Sequence, residues 1–291
     1  MLTIGVDVGG TSIKSALIEI DNFDNYSVVD TFSVATEGKS GREVIINNIV
    51  KAITHFDVEK ADTIGVASAG TICWDTGECT YATDALIGFT GVKLSSELSK
   101  RIGKRVICVN DAVGALIGES FCGAGKDGSR VMMFTLGTGL GASLLQSREL
   151  DSNAVIDTRL GHILLHENGR TCFCGKRGCA ETYVSATAIK NNANNNDLLE
   201  VFTSTDKQNK KAVSDFINDF VAVLKVAIKR YNPDLILVGG GVIELKEYWW
   251  NDFLAEYNKH CTVKIVPAIL GNKAGVVGAS ICVNKGKFSN Q

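Results

Sequence analysis

A strand, a glycine turn and a second strand open the chain as LTIGVDV, GGTS and IKSALIEI, and the pattern returns at VMMFTLGTG (131–139) and GASLLQ (141–146). Alternating β-branched residues around glycines predict a β-hairpin each time. Two such hairpins in one chain imply an internal duplication. Between and after them the periodicity changes. A third strand, YSVVDTFSVA, follows a polar turn at Asp21–Asn25, and REVIINNIVKAITHF sets Val44, Ile45, Ile49 and Ile53 at helical spacing. A short buried strand, TIGVASAG, comes next, then a helix around Leu94–Ile102, the strand RVICVND (105–111) and a helix from Ala112 to about Phe121. Strands alternating with helices predict an α/β fold. Further on, NNANNN (191–196) reads as a solvated loop, a helix is expected over 212–231 with Pro233 ending it before LILVGGG, and a last helix at about 274–284.

The length of 291 residues with 45% hydrophobic residues suits two ordinary cores, and a formal charge of −2 gives no reason to expect a nucleic-acid or anionic-membrane partner. No apolar run approaches the roughly 20 residues of a membrane span, and the N-terminus lacks the form of a signal peptide. A cytoplasmic protein acting on small molecules is expected. Nine cysteines, an odd number, argue for reduced thiols and a metal in place of a disulfide framework. Six of them, Cys73, Cys79, Cys108, Cys122, Cys261 and Cys282, read as small hydrophobes.

The glycine turns carry the first chemistry. Adjacent glycines let a backbone approach an anion and aim its N–H groups at phosphate oxygens. In the first turn Gly9, Gly10 and the Thr11 hydroxyl are the candidates, with Lys14 on the outgoing strand counted among them, and Asp7 suits a hydrated magnesium ion. Gly137, Thr138 and Gly139 repeat the arrangement in the second turn. A third run, Gly239, Gly240 and Gly241, ends a buried strand, where α/β sheets commonly bind ligands. Asp111, at the end of another strand, suits a general base that takes a proton from an attacking hydroxyl; the same residue type equally suits a helix N-cap.

One imidazole and three thiols lie within a short stretch: His162, Cys172, Cys174 and Cys179. Cys₃His is a common tetrahedral set for structural zinc, and Gly169, Gly175 and Gly178 provide turns that let the thiols converge. His166 competes with His162 for the fourth position, although its surroundings, LLHEN, read as a strand end facing solvent.

The three glycine loops together resemble those of the actin-like ATPase superfamily, with its ribonuclease H-like fold: two phosphate hairpins and one adenosine contact. Gly161-His162 followed by Cys172-Phe173-Cys174-Gly175-Lys176-Arg177-Gly178-Cys179-Ala180-Glu181 then resembles, specifically, the hallmark of the ROK family of repressors and sugar kinases. The resemblance spans the chain and points to the kinase branch. It implies a two-lobed enzyme with duplicated mixed-sheet domains and a zinc-bound loop, usually a homodimer, that phosphorylates the 6-hydroxyl of a hexose or N-acetylhexosamine with Mg-ATP. On this basis the lobes would be 1–118, completed by about 274–291, and 119–273. Asp111 would be the base, and Asn110, His162 and Glu181 would hold sugar hydroxyls, with His162 also binding zinc. Asp84 and Gly70 join the sugar side, since Ala82-Thr83-Asp84 stands at the family's sugar loop and Ala67–Thr71 resembles the corresponding stretch of N-acetylmannosamine and β-glucoside kinases. The chain departs from the family at Arg159, where many members have a sugar-binding Glu, and at Ala142-Ser143, where a third glycine run is usual. Arg159 is expected to turn outward or pair with Asp84, Asp157 or Glu181.

Overall fold

A computed structural model describes residues 1–22, 25–150 and 153–283. The strands are β1 (Leu2–Val8), β2 (Ser12–Asn22), β3 (Asn25–Ala35), β4 (Thr63–Ser68), β5 (Thr71–Ile72), β6 (Cys79–Tyr81), β7 (Val106–Asn110), β8 (Val131–Leu136), β9 (Leu140–Leu145), β10 (Val155–Asp157), β11 (Leu235–Gly239) and β12 (Lys264–Pro267). The helices are α1 (Arg42–Thr54), α2 (Leu94–Ile102), α3 (Asp111–Cys122), α4 (Ala186–Ala193), α5 (Leu198–Thr203), α6 (Lys207–Tyr231), α7 (Trp250–Tyr257) and α8 (Ala274–Cys282). Two five-stranded sheets form, in the orders β3-β2-β1-β4-β7 and β10-β9-β8-β11-β12. In each, the strand after a glycine turn lies beside the strand before it, and later strands add in parallel on the other side. The duplication is therefore one of topology, as the paired hairpins predict.

Contacts divide the chain into two units, one of residues 1–127, 145–155 and 269–291, the other of 128–144 and 156–268. The expected break at 118/119 falls inside α3, because that helix continues to Cys122 along a buried face. In the first unit, α1 buries Ile45, Ile46, Ile49 and Ile53 against Ile4, Val6, Ile13 and Ile64. α3 and α8 pack together and α8 lies on β1 and β4. Their approach is set by glycines: a Cβ on Gly278 would collide with the Gly114 carbonyl oxygen, and one on Gly65 with that of Ala279. The helix axes can close to backbone contact only where no side chain intervenes. In the second unit, α6 runs through an aromatic core in which Phe220 meets Phe134 at 5.7 Å and Phe253 at 5.3 Å, and Phe216 meets Trp249 at 5.2 Å.

Several boundaries differ from expectation. α6 begins at Lys207, capped by Asp206, whose side chain accepts from the Gln208 and Asn209 N–H groups. The stretch KQNKK has no apolar period, so the cap and not the pattern marks this start. The C-terminal end is as expected, Asn232 taking the left-handed conformation before Pro233. NNANNN is not all loop: α4 runs to Ala193, which is buried, and only Asn194, at φ 52°, turns the chain out. β2 and β3 extend further into the expected turn, to Asn22 and from Asn25, and its residues 23–24 lie outside the described ones, as do 284–291 of the expected last helix and lobe.

Candidate active site

In the first unit β1, β4 and β7 are parallel and in register, Val8 beside Ser68 and Ser68 beside Asn110, so their C-terminal ends share one edge. Asp7, the Gly9-Gly10-Thr11 turn, Gly70 and Asn110-Asp111 all fall there. The turn is tied from a distance: the buried Thr36 donates its hydroxyl to the Gly9 carbonyl at 2.6 Å, and the Thr36 N–H meets the Thr11 carbonyl at 3.0 Å. Nothing local in the sequence marks Thr36. Asn110 donates its amide to the Gly70 carbonyl at 2.7 Å, which joins the ends of β4 and β7. Asp84 is exposed on the loop after β6.

The alternative of Asp111 as an N-cap does not hold. The cap of α3 is Asn110, whose side-chain oxygen accepts from the Ala112 N–H at 3.0 Å and the Val113 N–H at 3.2 Å. Asp111 is the first helical residue, and its Oδ1 accepts from the Ala112 N–H and the Asn110 amide at 2.8 and 2.9 Å. Burial pushes its carboxyl above the ordinary range, against those two donors. Burial likewise raises Asp7, to about 6, with the Asp111 charge adding to the effect and Lys14, its partner across the β1–β2 ladder, opposing it. Two half-buried carboxylates that repel one another fit a hard cation bound through water at Asp7.

In the second unit β8 and β11 are parallel, with Thr135 beside Gly239, so the Gly137-Thr138-Gly139 turn and the Gly239–Gly241 run share an edge. Gly240, at φ +89°, sits so close to the Leu136 backbone that no other residue fits. Around Gly137 and Gly241 a Cβ would meet no atom within 4 Å, space that a ligand can enter. Gly139 lies beside Glu181: a Cβ there would come within 2.8 Å of Oε2, the end of a flexible side chain. The second phosphate-type turn and the sugar-type carboxylate are thus neighbours. Ser185, the cap of α4, holds that corner by donating its hydroxyl to the Glu181 carbonyl at 2.8 Å.

His162, Cys172, Cys174 and Cys179 come together, with ligand atoms all within 4.8 Å of one another. Cys174 Sγ lies 3.6 Å from Cys179 Sγ, and Cys172 Sγ lies 3.7 Å from His162 Nδ1. Bonds of about 2.3 Å to sulfur set tetrahedral edges of about 3.8 Å, so the donor set and its spacing fit zinc. Burial pushes the Cys172 thiol up to about 12, and its proton is donated to Glu181 Oε1 at 3.1 Å. His162 Nδ1 faces the sulfurs and Glu181, at 3.5 Å from Oε1, which leaves Nε2 for another partner. Among the described residues no disulfide forms; of the six cysteines outside the cluster, Cys79, Cys108, Cys122 and Cys282 are buried, while Cys73 and Cys261 are only partly so.

His166 is not in the cluster and does not end a strand. Its backbone follows an isolated bridge between Leu164 and Cys179, and its Nε2 lies 2.8 Å from Asp219 on α6. Arg159 turns outward, 77% exposed, with its Nε 3.6 Å from Asp157 Oδ2. Among the described residues no helix is long and apolar enough to cross a membrane.

The fold is the one seen in ROK structures: the ROK hexokinase from Thermus thermophilus superposes with a TM-score of 0.83 at 23% identity, covering 97% of this chain and 98% of that one. The ROK family glucokinase from Streptomyces griseus, solved with glucose and AMPPNP, superposes with a TM-score of 0.75 at 26% identity, over 98% and 100%. The chain belongs to the ROK family, whose model matches residues 3–286. Curated relatives include a glucokinase of Thermotoga maritima, 28% identical over 97% of both chains, and an N-acetylmannosamine kinase of Haemophilus influenzae, 25% identical over 97% of this chain and 95% of that one.

Proposed function

We propose that the protein is an ATP-dependent sugar kinase that transfers the γ-phosphoryl group to the 6-hydroxyl of a hexose or N-acetylhexosamine, with glucose and N-acetylmannosamine the first candidates. One observation carries the reading: Asp111 is a half-buried carboxylate of raised proton affinity at a sheet edge, in the first helical position behind the Asn110 cap. Such a group takes a hydroxyl proton as the oxygen attacks phosphorus. Asp7 would hold hydrated magnesium, which neutralises the phosphate charge. The N–H groups of Gly10 and Gly139, with Thr11, Thr138 and Lys14, would orient the phosphates; Gly9 and Gly137, whose N–H groups close the turns on the Ser12 and Gly139 carbonyls, would allow the close approach, and Gly239, Gly240 and Gly241 would line the adenosine. Asn110, Glu181, His162 through Nε2, Gly70 and Asp84 are assigned to the sugar. Zinc on His162, Cys172, Cys174 and Cys179 would fill all four positions, so its contribution is to fold the loop. Homologues named glucokinase and N-acetylmannosamine kinase support this reading, and a homodimer belongs to it.

A panel of glucose, N-acetylmannosamine, N-acetylglucosamine, allose and β-glucosides with Mg-ATP, followed by ADP release, tests the proposal. Asp111→Asn should lower turnover on the best sugar by about a thousandfold or more while ATP binding is retained. Near-normal turnover removes Asp111 from its role. Sugar binding without ADP release from any sugar would instead favour a sensing protein that has lost catalysis.

A further inference from the structure

His166 follows His162 by one helical-length step in the sequence, yet the four-ligand cluster forms without it. Its ring makes two other contacts. Nε2 lies 2.8 Å from Oδ1 of Asp219, a side chain only 18% exposed on α6, and the ring packs on Tyr183 with centroids 4.3 Å apart. Tyr183 is itself held: its hydroxyl accepts the Arg170 N–H at 2.8 Å, and the Arg170 guanidinium lies 4.3 Å from its ring centre. Arg170 goes on to the Thr182 carbonyl at 2.7 Å and to Asn192 of α4 at 2.5 Å. Within the loop, the Gly178 carbonyl accepts from Leu165 and His166, and the Gly178 N–H donates to Arg170.

Burial holds the far end of this loop, where Cys172, Cys179 and Ala180 are buried, and does little for the segment around His166. Ile163 and Leu165 reach the core only in part, and Leu164 and Phe173 are 62% and 86% exposed. A segment with so little apolar anchorage depends on directed polar contacts. α6 is the firm element available, since its Phe216 and Phe220 on either side of Asp219 are fully buried. We propose that the His166–Asp219 pair is a strut that fixes the thiol loop to α6, and that both are positioning residues for His162 and Glu181. The sugar-side consequence rests on the kinase reading; the metal-side consequence does not.

The test is the rate at which a chromogenic chelator removes zinc, with no sugar or nucleotide present, in the wild type, His166→Ala, Asp219→Asn, the double variant and His166→Gln. Removal should be about tenfold faster in each single variant, the low end of what partners behind metal ligands contribute. The double variant should be no faster than about the worse single, as expected for two halves of one contact. His166→Gln keeps an N–H donor and should return to within about threefold of wild type, which separates the contact from a general loss of fold. In kinetics, the same losses should raise the sugar KM about tenfold, with kcat and the KM for ATP within about twofold. Wild-type zinc removal rates in both single variants overturn the strut, as do losses that multiply in the double variant, or a wild type that takes up no zinc. A wild type that phosphorylates no sugar defeats the kinase reading alone, and the zinc arm still decides the strut.

Discussion

Asp7 shows how a single residue can be poised against stability. Its folded pKa of about 6 lies above the ordinary 3.8, so the folded chain holds this proton more tightly than the unfolded chain does. Stability from this source is present at low pH and is lost as pH rises from about 4 through about 6; by pH 8 the ionised group costs about 2–3 kcal/mol. Asp7→Asn should therefore raise the melting temperature of the free protein at pH 8 relative to wild type. The advantage should vanish near pH 4. Turnover in the variant should fall at both, since a neutral amide holds magnesium poorly. Equal melting shifts at the two pH values would remove the argument. Arg159 lies at the other extreme of burial. With its guanidinium in solvent and, among the described residues, paired with Asp157, Arg159→Ala should leave kcat/KM within about threefold across the sugar panel, the scale of an exposed pair. A loss beyond about a hundredfold, with fold and zinc content intact, would make it a substrate ligand.

At the scale of elements, the α3–α8 contact fixes where Asp111 begins its helix. Gly114 and Gly118 of α3 face Gly275, Ala274 and Gly278 of α8 so closely that backbone meets backbone. Gly275 also abuts the Asp7 carboxylate. Gly278→Ala would drive a methyl into the Gly114 carbonyl, and because backbone cannot rotate away as a side chain can, the helices must part. A loss of about 2–4 kcal/mol is expected, measured by denaturant unfolding. If turnover falls further than the lost folded fraction explains, the helix contact also aligns Asp111. The buried Glu119 strengthens the far end of α3, where its carboxylate accepts from the Ile269, Leu270 and Ala124 N–H groups at 2.9, 2.6 and 3.1 Å.

At the scale of the whole molecule, two separate apolar clusters occupy the two units. A chain with two cores need not unfold in one step. Zinc on the four-residue cluster of the second unit would stabilise only the folded form of that unit. Calorimetry should thus show that a chelator lowers one transition by several degrees and leaves the other within about a degree. A single transition that moves as a whole would show the two cores to be energetically inseparable.

The repeated strand–glycine–strand pattern was enough to predict a duplicated topology, because a hairpin needs only local alternation and a turn that permits close approach, and the alternation of strands with helices between the hairpins gave the α/β class. The clustering of His162, Cys172, Cys174 and Cys179 was equally legible, since they are close in the chain and thiols tolerate few roles in such density. Tertiary structure alone decided what depends on partners distant in sequence. Asn110 taking the cap of α3 in place of Asp111, Thr36 holding the Gly9 turn, and Gly139 lying beside Glu181 are all of this kind. So is the fate of His166, which a Cys/His count makes a rival ligand and which α6 claims through Asp219. Local geometry follows from backbone preferences and short spacing, written in consecutive residues. Desolvation and hydrogen-bond partnership depend on which surfaces meet, and only the packed chain brings those surfaces together.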